Sequence, residues 1–328
     1  MRVVGLLAAG LSAGCGLLGP NHDEVIREFT AVTYAQGRYV AVGVAFHIMD
    51  NFVVFGSDTT LIFISDDGRN WRDVSPRLPG SLSAVTFGED RFVAVGYVPP
   101  EGGPREGDPV VLTSFDGETW TEAPDPPDLR WGSIAFGNGV FVATGFKSIT
   151  ALNHTLVSDD GVTWDEGVVT EIRSTEITFG NGVFVLWGES NRGIGVSTDG
   201  ENWEIVGVES VDRVSDIAYL DDRFIGTGDY GCCFGASTVY TLESEDGRTW
   251  NVRDQALGAL FFSHSFGGGR FVATRDREIA VADDSFTWSV VADFNERVGD
   301  VVYGDDGFVT ASRLILFSVD GLDWERVY

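Results

Sequence analysis

Seven times along this chain an alternating segment ends in an aromatic residue, turns within two or three residues, and returns as a continuous apolar run. The copies are TYAQGRYVAVG (33–43), TFGEDRFVAVG (86–96), AFGNGVFVATG (135–145), TFGNGVFVLWG (178–188), AYLDDRFIGTG (218–228), SFGGGRFVATR (265–275) and VYGDDGFVTAS (302–312). Period-two alternation, then Gly, Asn or Asp, then a second apolar run predicts a tight β-hairpin, because these turn residues tolerate positive φ.

A second motif, Ser-x-Asp-Gly-x-x-Trp, interleaves with the first. Its copies are SDDGRNW (65–71), SFDGETW (114–120), SDDGVTW (158–164), STDGENW (197–203), SEDGRTW (244–250) and SVDGLDW (318–324), with a degenerate ADDSFTW at 282–288. The Trp-to-Trp steps are 49, 44, 39, 47, 38 and 36 residues. Each unit therefore predicts two more strands, one ending in the motif and one starting at its Trp. Four antiparallel strands, seven times over, predict an all-β chain folded as a seven-bladed β-propeller. The blades are expected at about 30–75, 82–123, 131–167, 174–207, 214–253, 261–291 and 299–328, closing without strand exchange.

The second motif resembles the Asp-box (BNR) repeat of sialidase-like propellers, photosystem assembly factors and sortilin-type receptors, with one residue fewer between Asp and Gly. The resemblance covers about 31–328 and implies the propeller fold, which hosts both binding proteins and glycoside hydrolases. Sialidases use an arginine cluster, a Tyr–Glu pair and an acid Asp. Arg77-Leu78-Pro79 is similar to their Arg-Ile-Pro signature but follows the first box instead of preceding it, so no catalytic residue carries over.

Physically the boxes read as structural. Their Ser and Asp side chains suit hydrogen bonds to nearby amides, their Gly suits positive φ, and their Trp suits burial. The Asp–Trp pairs are Asp67 and Trp71, Asp116 and Trp120, Asp160 and Trp164, Asp199 and Trp203, Asp246 and Trp250, Asp284 and Trp288, and Asp320 and Trp324. Blade six has Ala282 and Ser285 in place of the Ser and Gly, so its turn should be the least well fixed. Single carboxylates one blade apart cannot share a calcium ion that takes 6–8 oxygens, and no metal or cofactor is expected.

The ends and the charge narrow the setting. Val3 to Leu11 is too short to span a bilayer and follows Arg2, as in a secretory signal. Leu11-Ser12-Ala13-Gly14-Cys15 resembles a bacterial lipobox, which implies a signal peptide at 1–14, lipid on Cys15 and a tether over 15–29; an ordinary signal peptide is the alternative. Val25 to Phe29 could instead add an edge strand. With 22 basic and 50 acidic residues the net charge is −28, and Lys147 is the only lysine. Phosphate backbones would be repelled, which excludes nucleic-acid binding.

Candidate sites gather where the loops between second and third strands, and between blades, emerge, because those loops are irregular. Trp131 and Trp187 are the two tryptophans outside the boxes; they read as ligand surface or as packing between blades. Tyr230 and Arg275 join them as a candidate ligand face, with a salt bridge from Arg275 to Asp276 or Glu278 as the structural alternative. Glu176, Asp216 and Asp300 hold one equivalent position early in the first strand and would face the central channel, as a cation site, as acid–base groups or as solvated acids. His264 falls on the opposite phase and reads as core. Adjacent Cys232 and Cys233 suggest a strained vicinal disulfide, a free dithiol or a soft-metal site. The sequence thus predicts a monomeric, lipid-anchored, non-enzymatic binding or scaffold protein of the bacterial cell envelope, with a protein or glycan partner. A glycoside hydrolase of the Asp-box type is the alternative.

Overall fold

The structure, a computed structural model, describes residues 23–49, 52–53, 58–98, 108–146, 153–170, 174–188, 193–208, 211–230, 238–254, 257–284 and 286–328. It forms seven antiparallel sheets, each drawn from one contiguous stretch of chain and each ordered as in a meander. Six sheets have four strands; the first has a fifth, short strand. The innermost strands are Asp23–Ala35, Ser81–Gly88, Arg130–Gly137, Ser174–Gly180, Arg213–Leu220, Ser263–Gly267 and Asp300–Gly304. Each touches the innermost strand of the next blade, and the seventh touches the first, so the ring closes around a channel. Among the described residues no strand is exchanged at the closure.

An aromatic spine runs outward through every blade. The aromatic ending the innermost strand packs on the aromatic opening the second strand: Tyr34 on Tyr39, Phe87 on Phe92, Phe136 on Phe141, Phe179 on Phe184, Tyr219 on Phe224, Phe266 on Phe271 and Tyr303 on Phe308, with ring centroids 4.5–4.9 Å apart. Such tilted and edge-on pairs match the quadrupoles of the rings. In five blades the second ring in turn approaches the box Trp at 6.3–6.4 Å. The second-strand aromatics are completely buried, and they define the core of each blade.

Glycine joins one spine to the next. A Cβ on Gly88 would lie 2.1 Å from the Phe136 ring of the following blade, on Gly137 2.2 Å from Phe179, on Gly180 2.0 Å from Tyr219, and on Gly267 2.0 Å from Tyr303. Gly304 receives Tyr34 and Tyr39 in the same way and so closes the ring. The box glycines have φ between 69° and 79° and meet a second constraint, since Gly161 and Gly200 abut Val93 and Val142 of the preceding blade. The box glycine is required by both its backbone and its neighbour.

The boxes form as their chemistry predicts. In the second box, Asp116 Oδ1 accepts the amides of Glu118 and Thr119 at 2.8 Å, Ser114 Oγ accepts the Gly117 amide at 2.9 Å, and Trp120 Nε1 donates to Gly117 O at 2.8 Å. These donors hold the Asp116 carboxyl down at about 2. Blade six keeps the carboxylate half of the box: Asp284 accepts the amides of Phe286 and Thr287, with Ala282 in the serine place.

Blade one departs from the expected boundary. Its first strand begins at Asp23, so residues 23–29 belong to the sheet and not to a tether. We label its strands β1 (Asp23–Ala35), β2 (Arg38–Met49), β3 (Phe52–Val53), β4 (Thr59–Ser65) and β5 (Arg72–Asp73). Residues 23–29 pair residue for residue with 43–49, which gives the segment the backbone partners a tether would lack.

The glycine seats make a direct test. Gly137→Ala should destabilise the fold by roughly 2–3 kcal/mol, because the methyl must displace a packed ring. Gly207→Ala, with open space around its Cβ position, should be close to neutral. Urea denaturation of the two variants beside the parent reads the difference.

Candidate functional site

Five of the seven innermost strands carry a shared irregularity near the loop-rich mouth of the channel. Pairing with the second strand shifts register between Phe29 and Ala31, Leu82 and Ala84, Trp131 and Ile134, Ser174 and Glu176, and Val214 and Asp216. A bulge of this kind interrupts the ladder and leaves a backbone amide in need of another acceptor. At the equivalent position a side chain of one blade accepts an amide of the next, in bulged strands and in the regular strands of blades six and seven alike. Ser133 Oγ accepts the Ile177 amide at 3.4 Å, Ser263 Oγ accepts the Val301 amide at 3.1 Å, and Asp300 Oδ2 accepts the Val32 amide at 3.0 Å. The position that the sequence marks as a row of channel acids is therefore a row of joints between blades.

Two of the three predicted acids are brought together here. Asp300 also accepts hydrogen bonds from Ser263 Oγ and from its neighbour's amide, Val301 N. Asp216 Oδ2 lies 2.5 Å from His264 Nδ1 across the joint between blades five and six. His264 is a fully buried side chain packed edge-on against Phe261 and Trp288, as its strand phase predicts. Desolvation pushes the Asp300 carboxyl up to about 6; its hydrogen bonds from Ser263 and the Val32 amide pull the other way, and the charge of Asp216 adds to the rise. Glu176, the third, lies on blade four and is exposed. Among the described residues no group of His, Cys, Asp and Glu has the geometry to hold a metal ion.

The proposed aromatic face is not a face. Trp131 is 1% exposed and Trp187 4%, so neither offers a ring to a ligand. Trp131 stacks edge-on against the box residue Trp164 at 4.7 Å and donates Nε1 to Pro127 O at 3.1 Å. Trp187 packs with Val214, Ile217 and Leu242 of the next blade. Both fill gaps between blades, the second of the two readings that the sequence allowed. Arg275 forms its ion pair with Glu278, whereas Asp276 turns to Arg297 at 3.2 Å. Tyr230 does stand in solvent, 54% exposed. Cys15, Cys232 and Cys233 lie outside the described residues.

The opposite face is closed by straps that sequence reading missed. Arg38 donates Nη1 to Asp116 O of the next blade, and Arg270 donates Nη1 to Asp320 O. Asn138 and Asn181, in the hairpin turns of blades three and four, reach Thr198 O and Glu245 O of the following box. The signal was present, since an Arg or Asn recurs in or just after the hairpin turn. Its partner is a backbone carbonyl in another repeat, which no motif displays.

Two outcomes follow for these residues. Trp187→Ala and Trp164→Ala should each lower stability by about 3–5 kcal/mol in thermal or urea melts, because both indoles are buried. For Asp300 the raised folded-state pKa means that the native state holds its proton more tightly than the unfolded chain. Its contribution is present below the ordinary carboxyl pKa and is lost as pH rises from about 4 through 6. Asp300→Asn should flatten that part of the stability profile. The box aspartates act oppositely: their lowered pKa values give a contribution that is lost as pH falls below the ordinary carboxyl range. Urea melts of parent and variant from pH 3 to pH 7 separate the two windows.

No protein-family profile and no curated protein sequence matches this chain. Solved structures do resemble it. The structure of YCF48 bound to a D1 peptide aligns with a TM-score of 0.54 at 18% identity, over 75% of this chain and 82% of that one. Virginiamycin B lyase from Staphylococcus aureus aligns at 0.60 and 10% identity, over 89% and 96%. The WD40 propeller domain of Doa1 aligns at 0.55 and 12% identity, over 88% and 93%. At these identities the likeness is one of fold alone: this chain is a seven-bladed β-propeller.

Proposed function

We propose that the chain is a non-enzymatic scaffold that presents its loop-rich face to a protein partner, held at a bacterial membrane by lipid on Cys15. The observation that carries this reading is the use of the channel carboxylates. Asp300 bonds to blades six and one, and Asp216 to His264 of blade six, so their oxygens serve the ring. On the turn face, the box carboxylates and the Arg and Asn straps are likewise engaged within the fold. What differs from blade to blade is the loop-rich face, and variable loops on a rigid frame are where recognition resides. A propeller of this fold accommodates a peptide in the YCF48 structure, so the ligand class suits the architecture. The amide-capturing Ser and Asp of the boxes support kinship with Asp-box propellers.

One observation favours a second reading, a glycoside hydrolase. Asp300 has its pKa raised to about 6 with the carboxylate of Asp216 nearby, and a carboxylic acid with a raised pKa beside a second carboxylate is the usual equipment for glycosidic cleavage.

A photo-crosslinking residue at Tyr230, on the loop-rich side, should give a saturable adduct with a protein partner, and the same group at Phe115, 66% exposed in the second box, should not. Adducts at Phe115 alone would overturn the assignment of the face, and saturable binding on a glycan array would replace the protein partner with a glycan. Turnover of chromogenic glycosides that is lost in Asp300→Asn would establish the hydrolase instead. Cys15→Ser should move the protein from the membrane to the soluble fraction; unchanged partitioning would remove the anchor.

A further inference from the structure

Blade one rises above its neighbours on the loop-rich side. β1 has 13 residues and β2 has 12, against at most eight in the equivalent strands of the other blades. The extra length, residues 23–28 paired with 44–49, forms a ribbon projecting roughly 20 Å at about 3.3 Å per residue. Its base is fixed to blade seven: the Phe29 amide donates to Ser312 O at 2.9 Å, and Arg313 lies 3.6 Å from the Glu28 carboxylate. β2 is covered on its far side by β3 near the tip and by β4 near the base. β1 is not. Along Asp23–Glu28, β2 is its one strand partner among the described residues.

The two faces of the ribbon differ. Cross-strand pairing puts Glu24, Ile26 and Glu28 on one face with Ile48, Phe46 and Val44. That face is an apolar row bordered at the free edge by carboxylates. Glu24 is exposed and has no ion pair among the described residues, whereas Glu28 faces Arg313. Charged residues on an edge strand oppose pairing with neutral or acidic strands, including a second copy of this −28 chain. They favour a strand that brings the opposite charge.

The geometry points to the β1 edge as the peptide-docking element of the loop-rich face: an extended cationic segment adds as a further strand along Asp23–Glu28. This rests on the protein-binding reading above and specifies its ligand chemistry. Main-chain bonds to the edge supply affinity, and alternate side chains supply selection. Opposite Glu24 the segment carries Lys or Arg, and two residues along, opposite Ile26, an apolar residue that extends the row of Ile26, Phe46 and Ile48. The net charge steers such a segment toward the chain.

The test uses the full chain and a fluorescent peptide with the core Lys-Thr-Ile-Thr-Lys, whose symmetry suits either strand direction. Saturable binding should appear by anisotropy, together with hydrogen-exchange protection of amides within 23–28. Glu24→Lys should weaken it by roughly three- to tenfold through charge reversal at one exposed cross-strand pair. A Glu-Thr-Ile-Thr-Glu core, or N-methylation of the two Thr amides, should abolish it. Absence of saturable binding, binding indifferent to N-methylation, or full affinity in Glu24→Lys overturns the edge. Protection confined to other loops of the same face also overturns it while leaving the broader reading intact. The crosslinking at Tyr230 tests that broader reading separately.

Discussion

The fold depends on one contact repeated around the ring: an aromatic side chain on an innermost strand resting where its neighbour's glycine has no Cβ. Phe136 on Gly88, Phe179 on Gly137, Tyr219 on Gly180 and Tyr303 on Gly267 set how closely consecutive blades approach. A single blade is a sheet with two faces to bury, and it can bury them only against other blades. The glycine seat fixes that approach at the narrow inner radius, where space is tightest. Ala35 and Leu220 take the glycine place in blades one and five, and there the next blade's Phe87 and Phe266 join clusters with them instead.

From this seat each blade extends outward to a buried second-strand aromatic, and in five blades the relay of rings reaches the box Trp. The box closes the outer turn by satisfying its own backbone, and the Arg and Asn straps bind that turn to the blade before it. Polar chemistry and aromatic packing thus act at different radii. Rings set the radial order within a blade and, at the glycine seats, the approach of one blade to the next; hydrogen bonds close the box turns and strap each to the blade before it.

The channel position shows how that division bears on function. An amide of the innermost strand is met by the preceding blade through Ser133, Ser263 or Asp300. An acid placed there is a structural acceptor with a cost: desolvation raises Asp300, and the raised pKa makes the closing joint between blades seven and one sensitive to mild changes of pH. The same ring of joints leaves the loop-rich rim free to vary, and blade one uses that freedom to extend its hairpin into a ribbon with an open edge.

The sequence by itself determined the blade count, the strand order and the box turns, because these are local: hairpin turns, period-two alternation and capture of amides two and three residues away all lie within one repeat. It also placed His264 in the core from strand phase alone. Only the tertiary structure decided what Trp131, Trp187, Asp216 and Asp300 do, because each packs on or bonds to another blade, at separations that reach 268 residues along the chain and that no residue pattern marks. Residues 23–29 were ambiguous for the same reason. Asp-Glu-Val-Ile-Arg-Glu-Phe suits a solvated tether or an edge strand equally, and the choice was made by β2, whose residues 43–49 were there to pair with it.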